Sequence, residues 1–300
     1  MKLSMGAVSG WVGYTPLYIA QGKGFFKDQG LDFSFVIFSS NPDNRAAFAA
    51  GKTDACTTVT SEAVVLSETG KDFKIVLVED NSLGADGILA RKNITSIQDF
   101  KGKEIAVEVG GVSHFFLLQV LKQAGLNEDD VKLVNVPADA AAAAYQSGKI
   151  DIAVTYAPFM QKANTLQSDG RIIYDSSKMP TAITDLYIFD SKFAATNPNA
   201  VSAFVKGIFK GIDFLKANPQ DGAAIAAKQL GTTPADLLEQ LKGVRLVDLS
   251  MNQEMLGKPD SDLSLLKSLN DIAAFLKTQG QIKGTPDMAK SIDPSFVNAL

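Results

Sequence analysis

One histidine, one cysteine and one tryptophan occur in this 300-residue chain, and each narrows the chemistry open to it. The lone histidine, His114, excludes a His-rich metal site and any mechanism that needs two imidazoles. Cys56, in Asp54-Ala55-Cys56-Thr57-Thr58, has no partner for an internal disulfide and reads as a small buried side chain on a strand. His114 and Cys56 lie in distant segments and make a weak nucleophile pair. Trp11 stands in Gly10-Trp11-Val12-Gly13. An aromatic ring in such a loop either walls a ligand or packs its own turn. Tyr14 and Tyr156 pose the same choice.

Carboxylates dominate the remaining polar candidates. Glu62, Asp80, Asp86, Glu108 and Asp185 fall at strand ends or in loops, and the bases near them are Arg45 and Arg91. A site for a bare oxyanion usually aims Arg or Lys inward. This set suits a ligand carrying an amine, an amidinium or several N–H donors. It also suits a zwitterion whose negative end meets a helix N-terminus. Helix capping, hinge hydrogen bonds and solvation compete with that reading for each acid. Two helix starts offer free backbone N–H groups. Thr15 reads as an N-cap before Pro16, and Ser113 as an N-cap after Gly110-Gly111. Neither loop is a dinucleotide fingerprint or a Walker loop, so no cofactor is expected.

Composition sets the frame for these residues. Hydrophobic residues make up 46% and charged residues 21%, ordinary usage that excludes a disordered, coiled-coil or collagenous chain. A net charge of −4 argues against nucleic acid as the main partner. The longest apolar runs fall well short of the ~20 residues a membrane span requires. The N-terminus lacks a charged region followed by a long apolar region, yet Leu3 to Val8 already reads as a core strand. A chain from which a signal peptide has been removed would begin this way, and so would a cytosolic protein.

An internal repeat organises the elements. Lys27-Asp28-Gln29-Gly30-Leu31 matches Lys122-Gln123-Ala124-Gly125-Leu126, and Ala47 to Ala55 matches Ala144 to Ile152. The shared order and spacing predict two βαβαβ units, near residues 2–58 and 103–155. Each has a strand, a glycine-containing loop, a helix closed by a glycine, a second strand, a second helix and a third strand. Strands alternating with helices predict parallel sheet. Ser82 to Ala90 and Ala182 to Phe189 read as two crossings between lobes, with hinges at Ala85-Asp86-Gly87 and Thr184-Asp185-Leu186. After Asp190 the chain turns helical, and Val201, Phe204, Val205, Ile208, Phe209, Ile212 and Leu215 form one buried face. These helices are expected to pack on the first lobe. That gives lobe 1 as residues 1–85 plus 187–300, and lobe 2 as residues 86–186.

Ligands of open parallel sheets bind beyond the carboxyl ends of the strands. Two such lobes face to face would place those ends along one cleft. The expected ligand-binding residues are Trp11, Tyr14, Ser39, Thr60, Ser61, Asp86 and Asp185, with Glu108, Gly111, Val112, Ser113, His114 and Tyr156 from the second repeat.

Trp11 to Ala20, followed by Gly22-Lys23-Gly24-Phe25-Phe26 and Gly30-Leu31, resembles solute-binding proteins of the nitrate/sulfonate/taurine ABC-importer group. So do Ala49 to Ala55, Gly84 to Ile88, and Gly110 to Leu118. The resemblance extends to about Asn218. It implies a two-lobed α/β fold of the type II periplasmic-binding-protein class, a Venus flytrap in which each lobe is a mostly parallel sheet flanked by helices. It further implies a cleft that closes on a small-molecule solute, a permease partner in the membrane, a monomer, and an extracytoplasmic location. An enzyme on the same scaffold is the alternative, either a lyase or dehydratase using Glu108 or Asp185, or a pyrimidine-precursor synthase. The synthase type uses several histidines and a cysteine-rich motif, and this chain has one of each residue.

Overall fold

The computed structural model describes residues 1–300. Eleven strands form two sheets. The first repeat supplies β1 (Lys2–Val8), α1 (Thr15–Gly22), β2 (Asp32–Phe38), α2 (Asn41–Ala49) and β3 (Ala55–Val59). Helix α3 (Thr60–Glu68) and the long strand β4 (Phe73–Ser82) follow, and β5 (Asp86–Arg91) enters the second sheet. The second repeat is β6 (Glu104–Val107), α4 (Val112–Gln123), β7 (Lys132–Asn135), α5 (Ala138–Gln146) and β8 (Ile152–Tyr156). Helix α6 (Phe159–Leu166) and β9 (Gly170–Asp175) complete that sheet, and β10 (Thr184–Asp190) returns to the first. The remainder is helical apart from β11 (Val244–Leu246). It comprises α7 (Ser191–Thr196), α8 (Pro198–Ala217), α9 (Pro219–Leu230), α10 (Pro234–Gln240), α11 (Leu249–Gly257), α12 (Leu265–Thr278) and α13 (Ser295–Asn298).

Both repeats fold alike. The first sheet runs β2-β1-β3-β10-β4-β11, and the second runs β7-β6-β8-β5-β9. Within each repeat the three strands are parallel. The added strands are antiparallel: β10 to β3 and β4, β11 to β4, and β5 to β8 and β9. Each sheet is therefore mixed, where alternation of strand and helix predicts parallel pairing. The reason is the crossing: a strand that returns from the other sheet meets the repeat from the opposite direction. Gly30 and Gly125 occupy equivalent turns with φ of 71° and 75°, a left-handed geometry that glycine adopts without a Cβ clash.

Central strands are buried on both faces. All five residues of β3 and all five of β8 are buried. Helix α8 covers the first sheet with the predicted stripe, and all seven of its apolar residues are buried. It packs on α1 and α9, α12 packs on α3, and α13 meets β4. Phe204 of α8 stacks on Phe26 at 5.6 Å between ring centroids. The chain passes between the sheets at residues 83–85 and 176–183. The two passages are tied together: Ser82 Oγ and Ser176 Oγ lie 2.7 Å apart, and the Gly84 N–H donates to Ser176 Oγ at 2.7 Å.

Candidate functional site

The carboxyl ends of the parallel strands converge on a small cavity, about 350 Å³ of non-atom space with its open mouth counted. Val8 and Trp11 reach it from the end of β1, and Thr57, Thr58 and Val59 from the end of β3. Tyr156 closes it from the end of β8, while Asn41 and Val112 open α2 and α4 at its rim. Asp86, Ile183 and Asp185 belong to or adjoin the crossing strands. Both sheets thus supply walls. Trp11 and Tyr156 meet edge to face across the two halves, with centroids 5.8 Å apart and planes at 86°. That geometry matches the attraction between a ring edge and a ring face.

The local sequence explains how Trp11 is aimed. A single 3₁₀ turn at Val12–Tyr14 follows β1 and turns the indole inward, where Trp11 Nε1 donates to Asp80 Oδ2 at 3.0 Å. Gly13 is obligatory at this turn. A Cβ there would overlap both the Asp80 carboxylate and the Trp11 ring. Tyr14 lies one helical step on, its hydroxyl 2.8 Å from Thr57 Oγ1.

The cavity lining is acidic and contains no Lys, Arg or His. Asp185 of β10 is register-paired with Asp80 of β4, so adjacent strands bring two carboxyls to one place. Asp86 opens β5 and is 3% exposed. Asp80 Oδ1, Asp86 Oδ2 and Asp185 Oδ2 are buried without a hydrogen-bond partner. Glu79, next along β4, has both carboxylate oxygens in the same condition. Burial pushes the carboxyls of Asp80 and Asp86 up to about 7. The Trp11 indole opposes the rise at Asp80, and Ser82 opposes it at Asp86. Asp185 is held well above the usual carboxylate range, first by burial and then by the charges of Asp80, Glu79 and Asp86.

A second polar group bridges the two halves beside the cavity. The Asn41 N–H donates to Glu108 Oε1 at 2.9 Å, and Arg45 Nη2 donates to the Gly110 carbonyl at 3.1 Å. Arg45 Nη1 lies 3.9 Å from Glu62 Oε1, and Thr58 Oγ1 donates to Glu62 Oε2 at 3.1 Å. Burial raises the Glu62 carboxyl, while Arg45 and Thr58 hold it down. Burial likewise lifts Glu108 to about 7, against its bond from Asn41.

Of the residues expected at the site, Trp11, Tyr14, Asp86, Val112, Tyr156 and Asp185 line the cavity. The others stand elsewhere. Ser39 is exposed, its Oγ 3.4 Å from Asp43 Oδ2. Thr60 and Ser61 are buried in the first turn of α3, Glu108 belongs to the bridging group, and Gly111 lies against the Glu108 side chain. His114 is buried outside the lining. Its Nδ1 accepts from the Gly110 N–H at 3.2 Å, its Nε2 lies 3.5 Å from Glu128 Oε1, and burial lowers its pKa.

Neither expected N-cap serves as one. Thr15 is already helical because the 3₁₀ turn leads directly into α1, and its Oγ1 donates to the Val12 carbonyl at 2.7 Å. Gly111, in extended backbone, precedes α4, which leaves Ser113 one residue inside the helix with its Oγ buried and unpartnered. The expected hinge triplets lie largely in strands. Asp86-Gly87 and Thr184-Asp185-Leu186 lie within β5 and β10, where pairing to neighbouring strands fixes them.

Val8, Asn41, Thr57, Thr58, Val59 and Ile183 also line the cavity and were not among the expected residues. Asn41 is the first residue of α2, three positions beyond the end of β2. The threonines look like ordinary strand residues, and only the register of β3 turns them toward the site.

Residues 11–222 match the family described as NMT1/THI5 like. The chain belongs to that family. The taurine-binding periplasmic protein of Escherichia coli K12 is 27% identical over 296 residues, covering 94% of this chain and 89% of that protein. The 4-amino-5-hydroxymethyl-2-methylpyrimidine phosphate synthase of Candida albicans is 28% identical over 245 residues, covering 75% and 70%. The alkanesulfonate-binding protein of Xanthomonas axonopodis pv. citri, solved with MOPS bound, superposes with a TM-score of 0.81 at 18% identity over 98% of each chain. The fold of this NMT1/THI5-like chain is therefore that of the periplasmic binding proteins. Family membership alone leaves both binding and catalysis open, because relatives of both kinds are similar over most of the chain.

Proposed function

We propose that this NMT1/THI5-like chain is the solute-binding component of an ABC importer, working outside the cytoplasm and delivering a small polar organic solute to the transmembrane subunits of a permease. The solute is sulfonate- or taurine-like, or a nitrogen-containing compound. One observation carries the reading: a cavity at the strand ends lined from both sheets, with the two passages of the chain between the sheets beside it. In this reading lobe 1 is residues 1–85 plus 187–300 and lobe 2 is residues 86–186. The lobes close by bending at residues 83–85 and 176–183. Trp11, Tyr14, Asp86, Val112, Tyr156 and Asp185 contact the solute, and the protein acts as a monomer. No membrane-spanning helix is needed for such a role, and no helix here is long and apolar enough to cross a membrane.

The placement of the two residues best suited to nucleophilic or acid–base work supports binding over catalysis. Cys56 is buried on β3, its thiol pushed up by burial, and neither it nor His114 lines the cavity. The enzyme reading keeps one residue in its favour, Asp185, whose raised carboxyl could hold a proton at neutral pH.

A thermal-shift panel of small polar solutes, followed by mass spectrometry of the bound compound, separates the two. A ligand at ~100 times its dissociation constant adds about 2.7 kcal/mol of stability. A hit released chemically unchanged is the expected result. A hit released altered would transfer the chain to the enzyme class.

A further inference from the structure

We infer that the solute of this cavity is a compact nitrogen cation of the guanidinium or amidinium class, held through its N–H groups by Asp86 and Asp185 with Asp80 behind them. The inference deepens the binding-protein reading and rests on it.

Three observations converge. The first is charge. Two carboxylates line the cavity, a third is register-paired with one of them, and no cationic side chain is present to answer them. An anionic sulfonate in that lining would meet carboxyl groups and no cationic side chain, with only the rim starts of α2 and α4 to receive it. The second is hydrogen bonding. Asp86 is 3% exposed, lines the cavity, and leaves Oδ2 unpartnered. Asp185 Oδ2 has no donor beyond a proton shared with Asp80. A buried acceptor without a donor is costly, and a ligand rich in N–H groups removes that cost. The three acids arrive on three strands, β4, β5 and β10, so a ligand must present donors in more than one direction. A planar cation with N–H groups around its rim does so. The third is shape. Trp11, Tyr14 and Tyr156 surround the acids, and aromatic rings attract a cation laid against their faces. A volume of about 350 Å³ for the whole cavity, its mouth included, favours a small ion over a long-chain one.

Isothermal titration and thermal melting of the full chain test this. The probes are the chloride salts of guanidinium, acetamidinium and tetramethylammonium, and taurine and sodium methanesulfonate at equal millimolar concentration. The expected result is one-to-one binding of guanidinium or acetamidinium and no response to methanesulfonate or tetramethylammonium. Asp86→Asn and Asp185→Asn should each weaken that binding about 10–100-fold, the usual cost of one charge-assisted hydrogen bond. Unliganded, both variants should melt no lower than the parent, because each removes a buried carboxylate from a cluster of like charge. That behaviour distinguishes a binding residue from a structural one.

Binding of methanesulfonate or taurine without binding of either planar cation would overturn the inference and leave the binding-protein reading intact. Equal affinity for tetramethylammonium, which has no N–H, would overturn the hydrogen-bonding assignment. Absence of binding by both planar cations would overturn the inference outright. A planar cation that binds but is released chemically altered would uphold the cation and overturn the binding-protein reading.

Discussion

Asp80, Asp86 and Asp185 are the residues whose physical state matters most to the site. Their carboxyls stand above the ordinary carboxylate range because water is excluded and, at Asp80 and Asp185, because other acids stand close. Glu79, Tyr14 and Tyr187 pack around Asp80 and Asp185, and Tyr156 stands near Asp86. Arg45 engages Glu62 and Gly110, and Arg245 of β11 donates to Asn81 Oδ1 beside Asp80. A folded pKa above the unfolded value means that the folded state binds more protons, so stability falls as pH rises between the two. For Asp80 and Asp86 that window runs from about 4 to about 7. Glu62 and Glu108 act in the same sense, while His114, lowered by burial, acts against them as one group. The unliganded protein should therefore melt at a higher temperature at pH 5.5 than at pH 8. A bound cation should add more stability at pH 8, where the carboxylates are ionised. Melting curves across that range check both, and a rising unliganded curve would contradict the burial of the acids. Trp11 gives an independent readout, because it is the only tryptophan. Solute binding should change its emission, and Trp11→Phe should abolish the change without unfolding the chain. Binding with constant emission in the parent would place the indole away from the solute.

At the scale of the element, the site depends on helices that never touch it. Helix α8 buries Phe204 against Phe26, Phe33, Tyr187 and Phe189, and so joins the turn after α1, β2 and β10 into one aromatic cluster. Asp185 belongs to the same β10 as Tyr187 and Phe189. Truncation of a core phenylalanine costs about 3–5 kcal/mol. Phe204→Ala should lose stability of that order in urea melts and loosen the strand that holds Asp185. A loss below about 1 kcal/mol would show that α8 is peripheral to the core. The repeat was visible at this scale, as were the buried stripe of α8 and the extent of most strands. The strand sense and the caps were not. Pairing sense depends on which sheet a strand enters, and a cap depends on how the preceding turn delivers the chain.

At the scale of the molecule, the two halves meet through a few polar contacts beside the cavity. Asn41 to Glu108 and Arg45 to Gly110 join α2 to the loop before α4, and Trp11 against Tyr156 adds an aromatic contact. In the proposed solute-binding role, such contacts would shift the balance between closed and open forms by a modest amount. Apparent affinity falls with the fraction of molecules in the binding-competent form. Arg45→Ala should therefore enlarge the unliganded radius of gyration in small-angle scattering. Affinity should weaken about 5–30-fold, the effect of losing 1–2 kcal/mol of closure energy. An unchanged radius with unchanged affinity would remove Arg45 from closure.

The amino-acid sequence by itself determined the two-unit plan, because each repeat writes the same order of strand, helix and glycine into the chain. It also determined the acidic character of the loops and the absence of a second histidine or cysteine. Only the tertiary structure decided which acids meet. Asp80 and Asp185 are 105 positions apart and become neighbours through strand pairing. Asp86 joins them because β5 begins where the chain passes between sheets. The same folding moved Ser39, Thr60, Ser61, Gly111, Ser113 and His114 out of the cavity lining, although the sequence places them beside it. Loop membership is a property of local sequence. The direction in which a side chain points is fixed by register and by the turn that precedes it, and those follow from packing across the whole chain.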